Sequence, residues 1–280
     1  MPSILEILNK TRDFFVQKGL PDARLEAEVL LAGTLGMKRL QLYLQFERPL
    51  SEAELALLRE RVKRRAAREP LQYILGETPF RELVLTCDRR ALIPRPETEE
   101  LVGLVLKRLP TGRPVRLADL GTGTGAIALS LAKERPDADV TAADFSADAL
   151  ALARGNAVRG GLDARVHFVR SDWFASVDGD FDAIVSNPPY LTDDEMRSAE
   201  PEVREHEPRS ALYAPDDGFA DLEQILRGAK ARLRPGGFIA LETGVAHHAR
   251  LAALAATLGY ATSESYKDSG DFDRFFFASV

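Results

Sequence analysis

The chain has 280 residues, of which 45% are hydrophobic, and its formal net charge is −6 at pH 7. This length suits one large or two modest domains, and this hydrophobic content is ordinary for a soluble protein with a sizeable core. The acidic balance gives the chain no overall electrostatic attraction to duplex DNA, which is therefore a disfavoured partner. No apolar run is long enough to span a bilayer and no signal peptide is recognisable, so we expect a cytoplasmic protein that binds no membrane.

The cysteine and histidine content predicts no metal site. The single cysteine, Cys87, excludes an internal disulfide and any zinc or iron–sulfur site built from several cysteines. The four histidines, His167, His206, His247 and His248, show no HExxH or other metal-ligand spacing. We therefore predict no bound metal, and we expect Cys87 to pack as a small apolar residue.

The residues from 1 to about 70 show a helical pattern without strand-like alternation. Asp22 is a candidate N-cap, and Ser51 and Glu54 have the spacing of a capping box. The predicted apolar faces are Ile4, Leu5, Leu8 and Phe15 in the first helix, Leu25, Val29 and Ala32 in the second, and Leu55, Leu58 and Val62 behind the capping box. We predict a small α-helical bundle over residues 1–70.

The only dense basic stretch, RERVKRRAAR, runs from Arg59 to Arg68 at the end of this helical region. We interpret most of these side chains as a solvated helix face. A contact with an acidic or RNA-containing partner is the alternative.

Residues 71–94 are predicted to form a β-hairpin linker. The short pieces ELVLT (82–86) and ALIP (91–94) flank a turn-prone Asp88-Arg89-Arg90. In the stretch that follows, Pro96 suits a first helical position, acidic residues occupy the first turn, and Lys107 and Arg108 suit the last turn. We expect a catalytic domain over residues 95–280, beginning with this helix.

Strand and helix patterns alternate through the rest of the chain. The predicted strands are 116–121, 140–145, 165–172, 182–187 and 238–244, and helical runs lie around 126–134, 147–158 and 220–233. Such alternation predicts an α/β fold in which helices cover both faces of a parallel sheet. Two further strands, 262–268 and 274–280, are joined by a turn containing Gly270, so we expect a β-hairpin with an antiparallel last strand.

A glycine loop, DLGTGTGA (119–126), lies between the first strand of this sheet and the following helix. Gly121, Gly123 and Ala126 satisfy the relaxed GxGxxG/A pattern, in which glycines allow close backbone approach to a ligand. Asp144 ends the next strand, at the spacing of a carboxylate that accepts hydrogen bonds from ribose hydroxyls. Together these residues predict a site for a ribose-containing cofactor.

The glycine loop alone leaves a nicotinamide cofactor and S-adenosylmethionine equally open. Two features favour S-adenosylmethionine: it has no pyrophosphate to bind, and an antiparallel C-terminal hairpin is typical of the methyltransferase variant of this sheet. Asp172 and Trp173, after the third strand, could supply a hydrogen-bond acceptor and an apolar ring for the adenine. Ordinary core packing is the alternative role for Trp173.

The fourth strand ends in the sequence SNPPYL (186–191). Pro188 and Pro189 cannot donate ladder hydrogen bonds, so a central strand must stop there. In an open parallel sheet the ligand site lies beyond the carboxyl ends of the strands, which is where this tetrad falls. The Asn187 oxygen and a neighbouring carbonyl would accept the hydrogens of a planar NH2 group, and the Tyr190 ring would lie against its plane.

This tetrad resembles the [DNS]PP[YFW] motif of amino-methyltransferases, which act on adenine in DNA or on the side-chain amide of glutamine in proteins. The wider sequence is similar to one branch, the protein-(glutamine-N5) methyltransferases that modify peptide-chain release factors. The motifs that match in order, from residue 69 to residue 274, are EPLQYILGETPF, LIPRPETEELV, DLGTGTGAIALSLA, FDAIVSNPPYL, EPRSALYAPDDG and DSGDFDR. The chain departs from the family pattern at YAPDDG, where the family more often has glycine before the aspartate.

The resemblance implies a class I S-adenosylmethionine-dependent methyltransferase, with a Rossmann-like seven-stranded sheet whose last strand is antiparallel, preceded by a helical substrate-recognition domain. The residues implied to hold the cofactor are Gly121, Thr122, Gly123, Thr124, Gly125, Asp144, Asp172, Trp173 and Asn187. The residues implied to grip the substrate amide and to be catalytic are Asn187, Pro188, Pro189 and Tyr190. Arg95 and Glu97 are implied to lie near the site, without an assigned role.

The implied substrate is the glutamine of the Gly-Gly-Gln motif of release factors, methylated at its side-chain N5 with S-adenosyl-L-homocysteine as the second product. Glu207-Pro208-Arg209 would order a loop over the site or form a salt-bridged structural loop. We expect a monomer.

Three other functions remain open from the sequence. A ribosomal-protein glutamine would present the same amide, so the motifs do not separate it from a release factor. Adenine-N6 methylation of DNA would require base flipping and usually an added basic recognition region, whereas this chain has an acidic balance and only a small helical domain. A cofactor-sensing or RNA-associated scaffold without catalysis would not need both an intact glycine loop and an intact tetrad.

Overall fold

A computed structural model describes all 280 residues as two compact units, Met1–Gly76 with Pro201–His206, and Glu77–Glu200 with Glu207–Val280. The helices are α1 (Ile4–Gln17), α2 (Ala23–Thr34), α3 (Arg39–Leu44), α4 (Glu52–Ala66), α5 (Leu71–Leu75), α6 (Pro96–Arg108), α7 (Ala126–Glu134), α8 (Ala147–Gly160), α9 (Asp193–Ser198), α10 (Pro201–His206), α11 (Pro215–Gly218), α12 (Ala220–Ala229) and α13 (His248–Leu258). The strands are β1 (Glu77–Phe80), β2 (Leu83–Thr86), β3 (Val115–Leu120), β4 (Ala138–Asp144), β5 (Val166–Arg170), β6 (Phe181–Ser186), β7 (Leu233–Glu242), β8 (Thr262–Lys267) and β9 (Asp273–Ser279). None of the helices is both long and apolar enough to cross a bilayer.

The first unit consists of α1 to α5 and α10. The predicted capping box at the start of α4 is confirmed, because the Ser51 hydroxyl accepts from the Glu54 N–H and the Glu54 carboxylate accepts from the Ser51 N–H. The predicted α1 face is also confirmed, with Ile4, Leu8 and Phe15 fully buried. Capping and an apolar stripe at helical spacing therefore define these two helices from local sequence alone.

The predicted face of α2 is confirmed for Ala32, which is buried, and wrong for Leu25. Leu25 is 45% exposed, and the residues that α2 buries most deeply are Ala27, Leu30 and Leu31. Both sets lie at helical spacing, so periodicity does not choose between them. The choice is made by packing, because α2 lies against α1 and α4 and a small residue such as Ala27 allows close approach. Asp22 stands at the N-cap position but makes no capping hydrogen bond with its side chain.

The basic stretch of α4 is largely paired within the same unit. Arg65 is only 3% exposed, and its guanidinium contacts Glu26 of α2 at 2.5 Å and Glu202 of α10 at 2.7 Å. Arg68 also contacts Glu202, at 2.9 Å. The interpretation as a solvated face is therefore wrong for Arg65, because a buried guanidinium requires carboxylate partners and α2 and α10 provide them.

Replacing Arg65 by methionine should lower the free energy of unfolding by about 3 kcal/mol, because the mostly buried Glu26 loses its cation and Glu202 keeps only Arg68. Arg64→Met is the matched control, since Arg64 lies on the same helix with its side chain 36% exposed. The control should cost less than about 1 kcal/mol, as expected for an exposed ion pair. Urea unfolding followed by far-UV circular dichroism measures both. Equal losses would show that the buried pairing of Arg65 adds nothing.

The second unit begins with an antiparallel hairpin of β1 and β2, but its turn is not the predicted one. The strands pair from Glu77 with Thr86 to Phe80 with Leu83, so the turn is at 81–82. Residues 91–94 form no strand, and Asp88 closes a separate turn by accepting from the Arg90 N–H at 3.1 Å. Proline is tolerated in β1 because the sheet has only two strands and each is an edge.

The core of the second unit is a seven-stranded sheet in the order β5-β4-β3-β6-β7-β9-β8. The first five strands in this order are parallel, whereas β9 is antiparallel to both β7 and β8. The predicted α/β sheet with an antiparallel last strand is confirmed. The helix α13, between β7 and β8, was not predicted. It ends at Leu258 and is capped by Gly259, which has a left-handed φ of +75°.

Sheet register brings the ends of four parallel strands to one edge. Leu120 of β3 is paired with Ala143 of β4 and with Ser186 of β6, and Ser186 is paired with Leu241 of β7. The residues that follow these positions are Gly121, Asp144, Asn187 and Glu242. Because the strand order changes direction at β3, this edge lies at the topological switch point of the sheet, where open α/β sheets bind their ligands.

Candidate active site

A cavity of about 560 Å³ opens at this edge, within the second unit. Its volume is in the range of about 300–1,000 Å³ that is usual for small-molecule sites. The predicted site residues that line it are Gly121, Thr122, Gly123, Thr124, Asp144, Asp172, Trp173, Asn187 and Pro189. Three others, Gly125, Pro188 and Tyr190, do not line it.

The glycine loop turns sharply beneath the cavity. Gly121 and Gly123 have left-handed φ angles of +71° and +56°, which glycine adopts without strain. The Asp144 carboxylate accepts from the N–H groups of Gly123 and Ser146, both at 2.8 Å. Burial raises the pKa of Asp144, and these two amides oppose the rise. These hydrogen bonds therefore fix the position of the Asp144 carboxylate relative to the backbone of the glycine loop.

Asp119 and Gly125 act beneath the loop. Asp119 is fully buried and accepts from the Thr122 hydroxyl at 2.6 Å and from the Ala128 N–H at 3.0 Å. Burial raises the pKa of this carboxyl to about 7. A Cβ on Gly125 would lie 3.0 Å from Leu129. Gly125 thus provides close packing at the start of α7 rather than a wall of the cavity.

Aromatic rings border the cavity on the side of β4 and β5. Trp173 packs against the core, and its ring lies 3.4 Å from where a Cβ of Gly121 would be. It therefore combines the two roles considered for it, core packing and lining of the cavity. Phe145, which was not predicted, lines the cavity with 69% of its surface exposed. The signal that could have found it is its position directly after Asp144.

The tetrad is part of a partly buried chain of hydrogen bonds. Asn187 Nδ2 donates to Thr98 Oγ1 at 3.1 Å, and the Thr98 hydroxyl donates to Glu242 Oε2 at 2.7 Å. The Tyr190 hydroxyl donates to Glu242 Oε1 at 3.3 Å. Burial raises the pKa of Glu242 to about 7, and burial also raises the pKa of Tyr190. Thr98 and Glu242 were not predicted, since they are distant in sequence from the tetrad.

The loop that begins at Glu207 is tied to the segment before α6. Glu207 is buried, accepts from the Ile93 N–H at 3.0 Å and forms an ion pair with Arg95. Pro208, the next residue, lines the cavity. Arg209 contacts Asp193 at 3.0 Å. Glu207 and Pro208 therefore connect a salt-bridged loop to the wall of the cavity.

The absence of a bound metal remains a prediction from the sequence.

Cys87 is fully buried, and burial raises the pKa of its thiol to about 12. At pH 8 roughly one Cys87 side chain in ten thousand is then ionised to the thiolate. The native protein should therefore react slowly with an alkylating or disulfide reagent. We expect the reaction with a chromogenic disulfide to be at least about 100-fold slower in buffer than in denaturant. Equal rates would show that the thiol is accessible in the folded protein.

Comparison with known proteins identifies two matching family models: the PrmC N-terminal domain over residues 6–76 and the methyltransferase small domain over residues 101–202. The release factor glutamine methyltransferase of Geobacter sulfurreducens is 40% identical, with 97% of this chain and 95% of that protein covered. The enzyme of the same name from Chlorobaculum tepidum is 43% identical, with 86% of this chain and 85% of that protein covered.

Among solved structures, the hMettl16 catalytic domain in complex with the MAT2A 3′UTR hairpin 1 aligns with a TM-score of 0.56 at 14% identity, covering 85% of this chain and 84% of that chain. At this identity the likeness concerns the fold alone, and it agrees with the class I methyltransferase sheet described above. The two relatives, by contrast, are matched over 95% and 85% of their own lengths, at 40% and 43% identity. The chain therefore belongs to the release factor glutamine methyltransferase family.

Proposed function

We propose that this chain transfers a methyl group from S-adenosylmethionine to the side-chain N5 of a glutamine in a peptide-chain release factor, within its Gly-Gly-Gln motif. The observation that carries the proposal is the Asn187 amide, which lines the cavity at the end of β6 while its nitrogen is held by Thr98. Its oxygen is then available to accept a hydrogen from a planar NH2 group. The names of the full-length relatives support the release factor as the protein that brings this group.

The lining of the cavity fits S-adenosylmethionine. Asp144 can accept hydrogen bonds from ribose hydroxyls, and Asp172 can accept one from the adenine amino group. Trp173 and Phe145 present apolar rings beside these carboxylates, which suits a flat base. Gly121 leaves no side chain between the loop backbone and the ligand. The aspartates, the rings and the glycine loop correspond to the ribose, the base and the backbone contacts that such a cofactor requires.

The chain's own residues act by positioning. When bound, S-adenosylmethionine supplies an electrophilic methyl group on sulfur, which keeps the electron pair of the C–S bond as an N–C bond forms. An amide nitrogen is a weak nucleophile because its lone pair is delocalised into the carbonyl. We assign one amide hydrogen to the Asn187 oxygen and the other to the Pro188 carbonyl. These acceptors would orient the nitrogen and favour the positive charge that develops on it before it loses one proton.

The other tetrad residues take different parts in this proposal. Pro189 lines the cavity and limits the space beside the target amide. Pro188 is buried, and the proline after Asn187 restricts the backbone of Asn187 to extended angles. Tyr190 supports the site through its bond to Glu242. We further propose that the protein acts as a monomer. We also propose that it does not bind duplex DNA, because its net charge of −6 gives no overall attraction to phosphates.

Mass spectrometry of a release factor after incubation with this protein and S-adenosylmethionine tests the proposal. We expect the Gly-Gly-Gln peptide to gain the mass of one methyl group on its glutamine. Parallel incubations with ribosomal proteins and with plasmid DNA separate the alternatives, because a ribosomal glutamine and an adenine are their respective targets. Methylation of either in place of the release factor, or of none of the three, would contradict the proposal.

A further inference from the structure

A chain of hydrogen bonds links the tetrad to two buried residues on other elements. It runs from Asn187 Nδ2 to Thr98 Oγ1 at 3.1 Å and from Thr98 to Glu242 Oε2 at 2.7 Å. Thr98 comes from the first turn of α6 and Glu242 from the last position of β7, and both are buried. Thr98 and Asn187 line the cavity, whereas Glu242 does not. Glu242 therefore reaches the cavity only through Thr98.

The direction of this chain depends on which groups donate. An ionised carboxylate only accepts, so it takes the single hydroxyl hydrogen of Thr98, and the Thr98 oxygen is left to accept from Asn187 Nδ2. The Asn187 oxygen then faces the cavity. A Glu242 protonated at Oε2 would instead donate to Thr98, whose hydroxyl hydrogen would then be donated to the Asn187 oxygen. The Asn187 NH2 group would then face the cavity. It could not accept a hydrogen bond from the substrate NH2 group, because both groups are donors.

We infer that Glu242 and Thr98 are positioning residues that set the orientation of the Asn187 amide, so that its oxygen rather than its nitrogen faces the substrate amide. This inference rests on the proposed function for its substrate, but the orientation itself is a property of the free protein. Thr98 transmits the orientation because a hydroxyl donates once and accepts at the same time. Tyr190 completes the arrangement by donating to the other carboxylate oxygen of Glu242, at 3.3 Å.

The groups around Glu242 place its titration near neutral pH. Burial raises its pKa to about 7, the hydrogen bond from Thr98 and the charge of Arg274 oppose the rise, and the charge of Glu97 adds to it. Thr98 and Glu97 face Glu242 from α6, Tyr190 from the segment after β6, and Arg274 from β9. The ionised fraction then rises from about one tenth at pH 6 to about nine tenths at pH 8.

Nuclear magnetic resonance of the wild-type protein tests the orientation without substrate. The side-chain amide signal of Asn187, assigned by its absence in Asn187→Ala, should shift between pH 5.5 and 8.5 with a midpoint near 7. In Glu242→Gln the same signal should show no transition in this range, because the titrating carboxyl is gone. A wild-type signal that does not move, or a transition that persists in Glu242→Gln, would overturn the inference.

The pH profile of methylation gives a second measurement. The kcat/KM of the wild type should rise about tenfold from pH 6 to pH 8, following the ionised fraction. In Glu242→Gln the rise should be absent and the rate at pH 8 about tenfold lower, because a neutral amide permits both orientations of Asn187. Glu97→Gln is the matched control: the rise should remain, with its midpoint at lower pH, since a nearby negative charge has been removed.

A pair of Thr98 variants separates hydrogen bonding from packing. Thr98→Val keeps the shape but removes the hydroxyl, and we expect its kcat to fall about 100-fold while the cofactor Kd changes by less than about twofold. Thr98→Ser restores the hydroxyl and should recover all but about threefold of the loss. Valine and serine variants with equal rates would overturn the inference. If the wild type methylates no release factor at any pH, the proposed function fails, while the resonance measurement still decides the inference.

Discussion

Asn187→Ala is expected to lower kcat for glutamine methylation by about 10³-fold, because the variant removes an acceptor that is aligned with the developing charge on the substrate amide. The cofactor Kd should change by less than about threefold, since the glycine loop, Asp144 and the aromatic rings are untouched. Quantitative mass spectrometry of the release factor peptide gives kcat, and titration calorimetry gives the Kd.

Asp144→Ala is the control for this prediction, because it lies on the cofactor side of the same cavity. It should weaken cofactor binding while leaving the Asn187 chain of hydrogen bonds in place. The two variants should therefore have different defects: Asn187→Ala should lose kcat, and Asp144→Ala should lose affinity for the cofactor. Near-normal turnover in Asn187→Ala would remove the tetrad from the mechanism.

Gly218→Ala is expected to destabilise the second unit by about 4 kcal/mol and to abolish methylation. Gly218 has a left-handed φ of +78°, and a Cβ on it would lie 2.0 Å from the carbonyl oxygen of Tyr190. No side-chain rotation relieves a clash between a Cβ and a backbone carbonyl, so the segment of the tetrad must move. Thermal and urea unfolding measure the loss of stability, and the methylation assay measures the effect on the site.

Gly236→Ala separates the clash from the strain of a left-handed backbone. Gly236 has a nearly identical φ of +77°, but no atom lies within 4 Å of the position of its Cβ. This variant should cost only about 1 kcal/mol and retain activity, because φ strain is its only penalty. Equal losses of stability and activity in Gly218→Ala and Gly236→Ala would show that the close approach of Gly218 to the Tyr190 carbonyl contributes nothing to the cost of the substitution.

The segment around Gly218 also has an unusual backbone conformation. Asp216 and Asp217 both have left-handed φ angles, +56° and +54°, in the single turn of α11. Aspartate visits this region more readily than most residues, but two in succession are unusual. His247 Nε2 is 2.9 Å from the Asp217 carbonyl oxygen, and Arg250 contacts Asp216 at 2.5 Å. These contacts from the start of α13 hold the turn against the tetrad.

Local sequence predicted well those features that depend on neighbours along the chain. The capping box of Ser51 and Glu54, the glycine loop, and the end of β6 at two prolines each follow from backbone chemistry within a few residues. The position of Asn187 near Gly121 also followed, because parallel strands place their carboxyl ends at one edge. The hairpin turn at 81–82 was missed because the turn-prone Asp88-Arg89-Arg90, which forms a separate turn, was taken as the turn of the hairpin.

The sequence by itself determined the alternation of the parallel strands with α7, α8 and α12, the two motifs at the sheet edge and the family, because each depends on residue types at short spacing. Only the tertiary structure decided that Thr98 and Glu242, 144 residues apart, meet beside Asn187. It also decided that Arg65 is buried between Glu26 and Glu202. In both cases the partners come from separate elements, and packing and strand register, rather than local spacing, bring them within hydrogen-bonding distance.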